Sequence, residues 1–140
     1  MAIEPSSVPN RSAEIELVMK ERSALVAVCR ALNTLLDEGW DATLQGKDFP
    51  QRLEIDGLLL QVSKHLANIA GFCDGRTQDW THNAVRLLAL CMVSPSSYID
   101  LKAVLPFIVG IQVDFTKRPF RVVGLSLKGL GAELKAIMKR

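Results

Sequence analysis

The sequence has little of the residues that carry most covalent and metal chemistry. It holds two histidines, His65 and His82, in 140 residues. Neither has a second ligand at HxxxH or HxxE spacing, so the usual helical metal motifs are absent. Its three cysteines, Cys29, Cys73 and Cys91, form no CxxC pair, which excludes the common zinc and dithiol arrangements. An odd number of thiols in apolar stretches fits core packing in a reducing compartment. No Walker loop, GxGxxG or GxSxG occurs, and Gly124, Gly129 and Gly131 have the wrong spacing for a phosphate cradle. No catalytic residue, cofactor or metal is therefore expected, and an enzyme is not the expected reading. No uninterrupted apolar run reaches the about 18 residues of a membrane span. Met1-Ala2-Ile3-Glu4-Pro5 lacks the basic start and apolar stretch of a secretory signal. A cytoplasmic protein without a membrane partner is expected.

What is present is hydrocarbon. Apolar residues make up 49% of the chain and charged residues 23%, which is ample for one folded domain. The apolar surplus calls for a further buried surface, and a homodimer supplies one. Residues 1–11 read as a flexible leader and residues 12–140 as a single helical domain. The net charge of +2 hides an asymmetry: from Lys117 onward seven basic residues face a single acid, so the first 116 residues carry −4. A basic end on an acidic body points to a polyanionic partner.

Periodicity divides the chain. Ile15, Val18, Arg22, Leu25, Cys29, Leu32 and Leu36 recur at alternating steps of three and four residues, a heptad seam on a helix over 12–38. Val18, Arg22, Leu25 and Leu32 are candidate dimer-interface residues. Arg22 either snorkels outward or pairs with an acid across the seam. Gly39 is placed to end this helix in the left-handed conformation. A loop over 39–49 follows, pinned by Trp40, Leu44 and Phe49. Asp48, Pro50 and Gln51 read as a helix start. The second helix carries Ile55, Leu59, Val62, Leu66, Ile69 and Cys73, and Asp74-Gly75-Arg76 closes it. A third helix is expected over 79–92. Ser94-Pro95-Ser96-Ser97 breaks it and caps a fourth, with Asp100 three residues after Ser97, which Pro106 should end or bend. Phe107, Val109, Ile111, Val113 and Phe115 then alternate strictly, as do Phe120 and Val122, with Gly124 at a bulge. This reads as a β-hairpin with a basic tip at Thr116-Lys117-Arg118-Pro119, although Val104, Ile108, Ile111 and Phe115 also fit helical spacing. A last helix begins near Leu127.

The expected fold is mainly α with a C-terminal β-hairpin, winged helix-turn-helix-like, and an all-α bundle is the alternative. Two short helices, a turn and a hairpin place the second helix in the major groove and the hairpin on the phosphate backbone. Val93-Ser94-Pro95-Ser96-Ser97-Tyr98-Ile99 resembles the turn and recognition-helix start of bacterial regulators. Arg121-Val122-Val123-Gly124-Leu125-Ser126-Leu127-Lys128-Gly129 resembles the second wing strand of MarR-type regulators, with Ser126 in place of threonine. The resemblance spans about residues 79–135. It implies that Ser94, Ser96, Ser97, Tyr98 and Lys102 face double-stranded DNA from the recognition helix. Lys117, Arg118 and Arg121 would contact its backbone from the wing. Met92 in place of the turn glycine, Pro106 within the recognition helix and Asp100 near the DNA face depart from the pattern. These departures open the second reading, a protein-interaction module (inhibitor, adaptor or small regulatory subunit) on a degenerate winged helix. The first reading remains a dimeric DNA-binding regulator.

Overall fold

Apolar side chains spaced at three and four residues set most of the architecture. The computed structural model describes residues 10–41, 51–94, 97–124 and 127–139. Among the described residues the chain forms five helices and one small antiparallel hairpin. The helices are α1 (Asn10–Glu38), α2 (Arg52–Ala70), α3 (Gly75–Val93), α4 (Tyr98–Val109) and α5 (Leu127–Met138). The hairpin strands β1 (Val113–Asp114) and β2 (Arg121–Val122) lie between α4 and α5. No helix among the described residues is long and apolar enough to cross a membrane. Of the expected leader 1–11, residues 1–9 lie outside the described residues, as do the loop residues Leu44, Asp48, Phe49 and Pro50, and Pro95, Ser96, Leu125 and Ser126; Asn10 and Arg11 belong to α1 instead.

The heptad seam of α1 meets the seam of α2 within one chain. Val18, Leu25, Cys29, Leu32 and Leu36 share a single core with Ile55, Leu59, Val62, Leu66 and Ile69, all at 0% exposure. α1 packs on α2 and also on α4, while α5 lies against α3 and α4. The expected dimer seam is therefore filled intramolecularly: Val18, Leu25 and Leu32 offer nothing to a second copy. Arg22 is half-buried and reaches a backbone carbonyl rather than an acid across a dimer seam. Its Nε donates to the Ile111 carbonyl at 2.5 Å, which ties α1 to the chain leaving α4.

The second helix is shorter than expected, and Cys73 lies outside it. Asp74 opens α3 instead of closing α2, with its backbone extended and its carboxylate accepting from the Thr77 amide at 3.0 Å. An N-cap carboxylate satisfies one orphan amide of the first turn, so the helix starts at Gly75, earlier than Asp79. Gln51 precedes α2 without a side-chain cap bond. Ser97 likewise makes no side-chain cap bond to α4.

Pro106 does not end α4, which continues to Val109. Phe107 and Val109 are therefore helical, and the strict alternation from Phe107 marks a strand only at Val113 and Asp114. There Val113 pairs with Val122 and Asp114 with Arg121. Val123 and Gly124 both direct their amides at the Gln112 carbonyl, at 2.9 and 3.4 Å, an extra-residue geometry of the bulge kind. A Cβ at Gly124 would run into the Gln112 side chain. A third segment joins this sheet: Phe120 donates to the Phe72 carbonyl at 3.1 Å, and Asp74 donates to that of Phe120 at 2.9 Å.

Candidate functional site

The fourth helix turns its larger side chains inward. Tyr98, Leu101, Val104, Leu105 and Ile108 are buried. The Tyr98 hydroxyl donates to Asp56 Oδ1 at 3.0 Å. Burial, then the Asp56 carboxylate, pushes the phenol well above its ordinary range. Tyr98 thus belongs to the core, and its expected place on a DNA-facing surface is corrected: it is too large and apolar to leave the α2–α4 contact. Lys102 is half-buried and already engaged. Its ammonium pairs with Asp37 near the end of α1 and sits 4.7 Å from the Trp40 ring centroid.

The outward residues of α4 are Ile99, Ala103 and Pro106, at steps of four and three. Ile99 is 45% exposed, and across the turn Leu90 and Val93 of α3 are 47% and 81% exposed. Beside them a groove of about 450 Å³ runs between the end of α3, the start of α4 and the end of α5. Leu87, Leu90, Val93, Ile137 and Met138 form its apolar walls, with Ser94, Ser97 and Asp100 as the polar lining. Ser94 is exposed and Ser97 half-buried. The Ser97 carbonyl accepts from the Cys91 thiol at 3.5 Å.

The hairpin tip stands apart from this groove. Lys117, Arg118 and Arg121 are all exposed. Arg118 pairs with Glu14 of α1 at 3.1 Å, and Arg121 with Asp74 at 3.3 Å. Asp74 is held below the usual carboxylate range, first by the Thr77 amide, against the opposing effect of burial, and further by the Thr77 side chain and the Arg121 guanidinium. Exposed pairs of this kind contribute roughly 0–1 kcal/mol, so they orient the cations without locking them away from another anion. The structure gathers the three cations at the hairpin, Lys117 and Arg118 on its turn and Arg121 on β2, whereas Ser94 and Ser97 lie before the opposite, N-terminal end of α4.

Arg11 was not singled out in the sequence. It lies at the start of α1, donates to the carbonyls of Phe115 and Lys117, and covers the Phe120 ring at 4.3 Å. It fixes the hairpin tip to the helical body. The partners stand 104 and 106 positions away, so no local pattern announces the contact. His65 forms a second unforeseen tie, Nδ1 to Glu21 Oε2 at 2.5 Å. Among the described residues no cluster of three His, Cys, Asp or Glu side chains is arranged to hold a metal ion. No protein-family model matches the sequence, and no curated protein or solved structure matches it either.

Proposed function

We propose that this chain is a protein-binding module that docks an apolar helical segment of a partner on the surface around the α3–α4 turn. The observation that carries this reading is the outward face of α4. It offers Ile99, Ala103 and Pro106 to solvent, while Lys102 is engaged by Asp37 and Trp40. A helix that reads DNA needs donors and acceptors where it meets base edges. Hydrocarbon there, together with exposed Leu90 and Val93 of α3, favours a protein partner. The adjoining groove suits side chains spaced along one face of an amphipathic helix. The test places a photo-crosslinking residue at Val93 or at Ile99 in cells. Both positions are expected to capture the same polypeptide, and Leu90→Glu should abolish capture. Crosslinks to nucleic acid instead would overturn the reading.

A second reading, the MarR-like winged helix on double-stranded DNA, is favoured by one specific observation. The 72–74 segment joins the hairpin edge through Phe120, which supports a wing-like sheet behind two helices and a tip bearing Lys117, Arg118 and Arg121. In this reading those cations meet phosphates, and Ser94, Ser96 and Ser97 approach from the helix start. Binding then falls steeply with salt through counterion release. Fluorescence anisotropy on unrelated duplexes at two salt concentrations tests it. Lys117→Ala with Arg118→Ala should weaken binding to all duplexes alike. Absence of binding at low salt removes this reading and leaves the first standing.

A further inference from the structure

Helix α2 carries a second stripe on the side opposite its core. Leu53, Gly57, Leu60, Lys64 and Ala67 follow one another at steps of four, three, four and three, and all are exposed. Leu53 is 87% exposed and Leu60 58%, the behaviour of side chains that have no internal neighbour to cover them. Gly57 sits in the middle of this helix, where glycine weakens helical structure. Nothing among the described residues requires it, because a Cβ there would meet no atom of theirs within 4 Å. A bare backbone in the centre of an exposed apolar stripe is explained by something that approaches from outside.

We propose that this something is a second copy of the chain: two α2 helices pair antiparallel about a two-fold axis. Leu60 of each copy seats against Gly57 of the other, a knob into a hole. The same register places Lys64 of each copy beside Leu53 of the other, with the lysine ammonium in reach of the neighbouring Glu54. The charges select this direction. A parallel pairing stacks Lys64 on Lys64 and Leu60 on Leu60 and leaves Gly57 facing Gly57. The antiparallel pairing fills the gap and sets opposite charges together twice, as an isologous contact must. This face lies on another helix from the α3–α4 groove, so the inference does not rest on the protein-binding reading.

Sedimentation equilibrium of the full chain at low salt tests the pairing. The wild-type chain is expected to dimerise, and Glu54→Lys and Lys64→Glu are each expected to weaken self-association by about tenfold or more, since symmetry doubles every like-charge contact. Mixing the two variants should restore the dimer, because each supplies the charge that the other lacks. Lys64 also contributes to the field at Glu21, so circular dichroism must show that Lys64→Glu is folded. Gly57→Gln tests the hole without touching that contact: it should fold at least as well and remain monomeric. A monomeric wild-type chain, a mixture that stays monomeric, or a dimer that survives Gly57→Gln would overturn the proposal.

Discussion

Glu21 and His65 tie α1 to α2 where both side chains are about four-fifths buried, at 22% and 19% exposure. The His65 hydrogen bond, then Asn68 and the charges of His65 and Lys64, hold the Glu21 carboxyl below its ordinary range, against the opposing effect of burial. A folded-state pKa below the unfolded value means that the unfolded chain binds the proton more tightly. The contribution of Glu21 is thus fully present above the ordinary carboxylate pKa and is lost as pH falls through its lowered folded value. Urea midpoints should decline as pH is lowered through the acid range, and Glu21→Gln should flatten that decline. An unaltered acid limb in the variant would assign it to other carboxylates, such as Asp74. Two further residues separate structural roles from binding roles. Asp74→Ala removes the N-cap of α3 and should cost about 1 kcal/mol. Tyr98→Phe leaves the Asp56 carboxylate without the phenol donor and should cost about 0.5–1.5 kcal/mol in a denaturation series. If Tyr98 instead served DNA, the loss would appear in binding and leave stability unchanged.

At the scale of elements, the apolar stripes of α1, α2 and α3 were legible because each bears several turns of one period. The spacing marks Leu25 and Leu32 as seam residues, but a seam does not state its partner. The matching stripe on α2 occupies it, so Leu25→Ala should cost about 2–5 kcal/mol of folding stability through the cavity it leaves. Sedimentation of that variant should show the same association behaviour as the wild-type chain wherever it remains folded. Short elements were less legible. Over Phe107 and Val109 the periods of strand and helix coincide for too few residues to decide, and packing of Ile108 into the core decides for helix. Asp74-Gly75-Arg76 reads as a stop in the sequence; the Thr77 amide bound to the Asp74 carboxylate makes it the start of α3. The cationic turn was found at its place, whereas its clamp by Arg11 depends on chain folding across more than a hundred positions. Gly124 was legible as a bulge position for a reason the structure makes concrete. Its missing Cβ makes room for Gln112, so Gly124→Ala should cost about 1–3 kcal/mol through overpacking. Thermal denaturation measures it, and an unchanged midpoint would mean that Gln112 moves aside freely.

At the scale of the molecule, the helical core and the hairpin differ in what holds them. The apolar cluster is continuous and takes in Phe120 and Val122 of the hairpin along with the helices; beyond these side chains the hairpin has two paired positions per strand, the Phe72–Phe120–Asp74 bonds and the Arg11 clamp. Opening therefore need not be uniform: the hairpin has fewer buried contacts to lose and should detach below the global unfolding free energy. The thiols report on each part. Burial pushes Cys29 and Cys91 up to about 12 and Cys73 up to about 11, so the reactive thiolate is scarce in the closed state. Cys29 lies in α1 and Cys91 in α3, while Cys73 lies on the segment bridged to Phe120. In urea below the unfolding transition, a thiol-specific chromogenic reagent should label Cys73 first, with a weak dependence on denaturant. Cys29 and Cys91 should follow with the steep dependence of global unfolding. Arg11→Ala releases the clamp and should accelerate the Cys73 reaction selectively. Equal acceleration at all three cysteines would mean that Arg11 supports the whole core, and simultaneous labelling in the wild-type chain would mean that hairpin and bundle open as one unit.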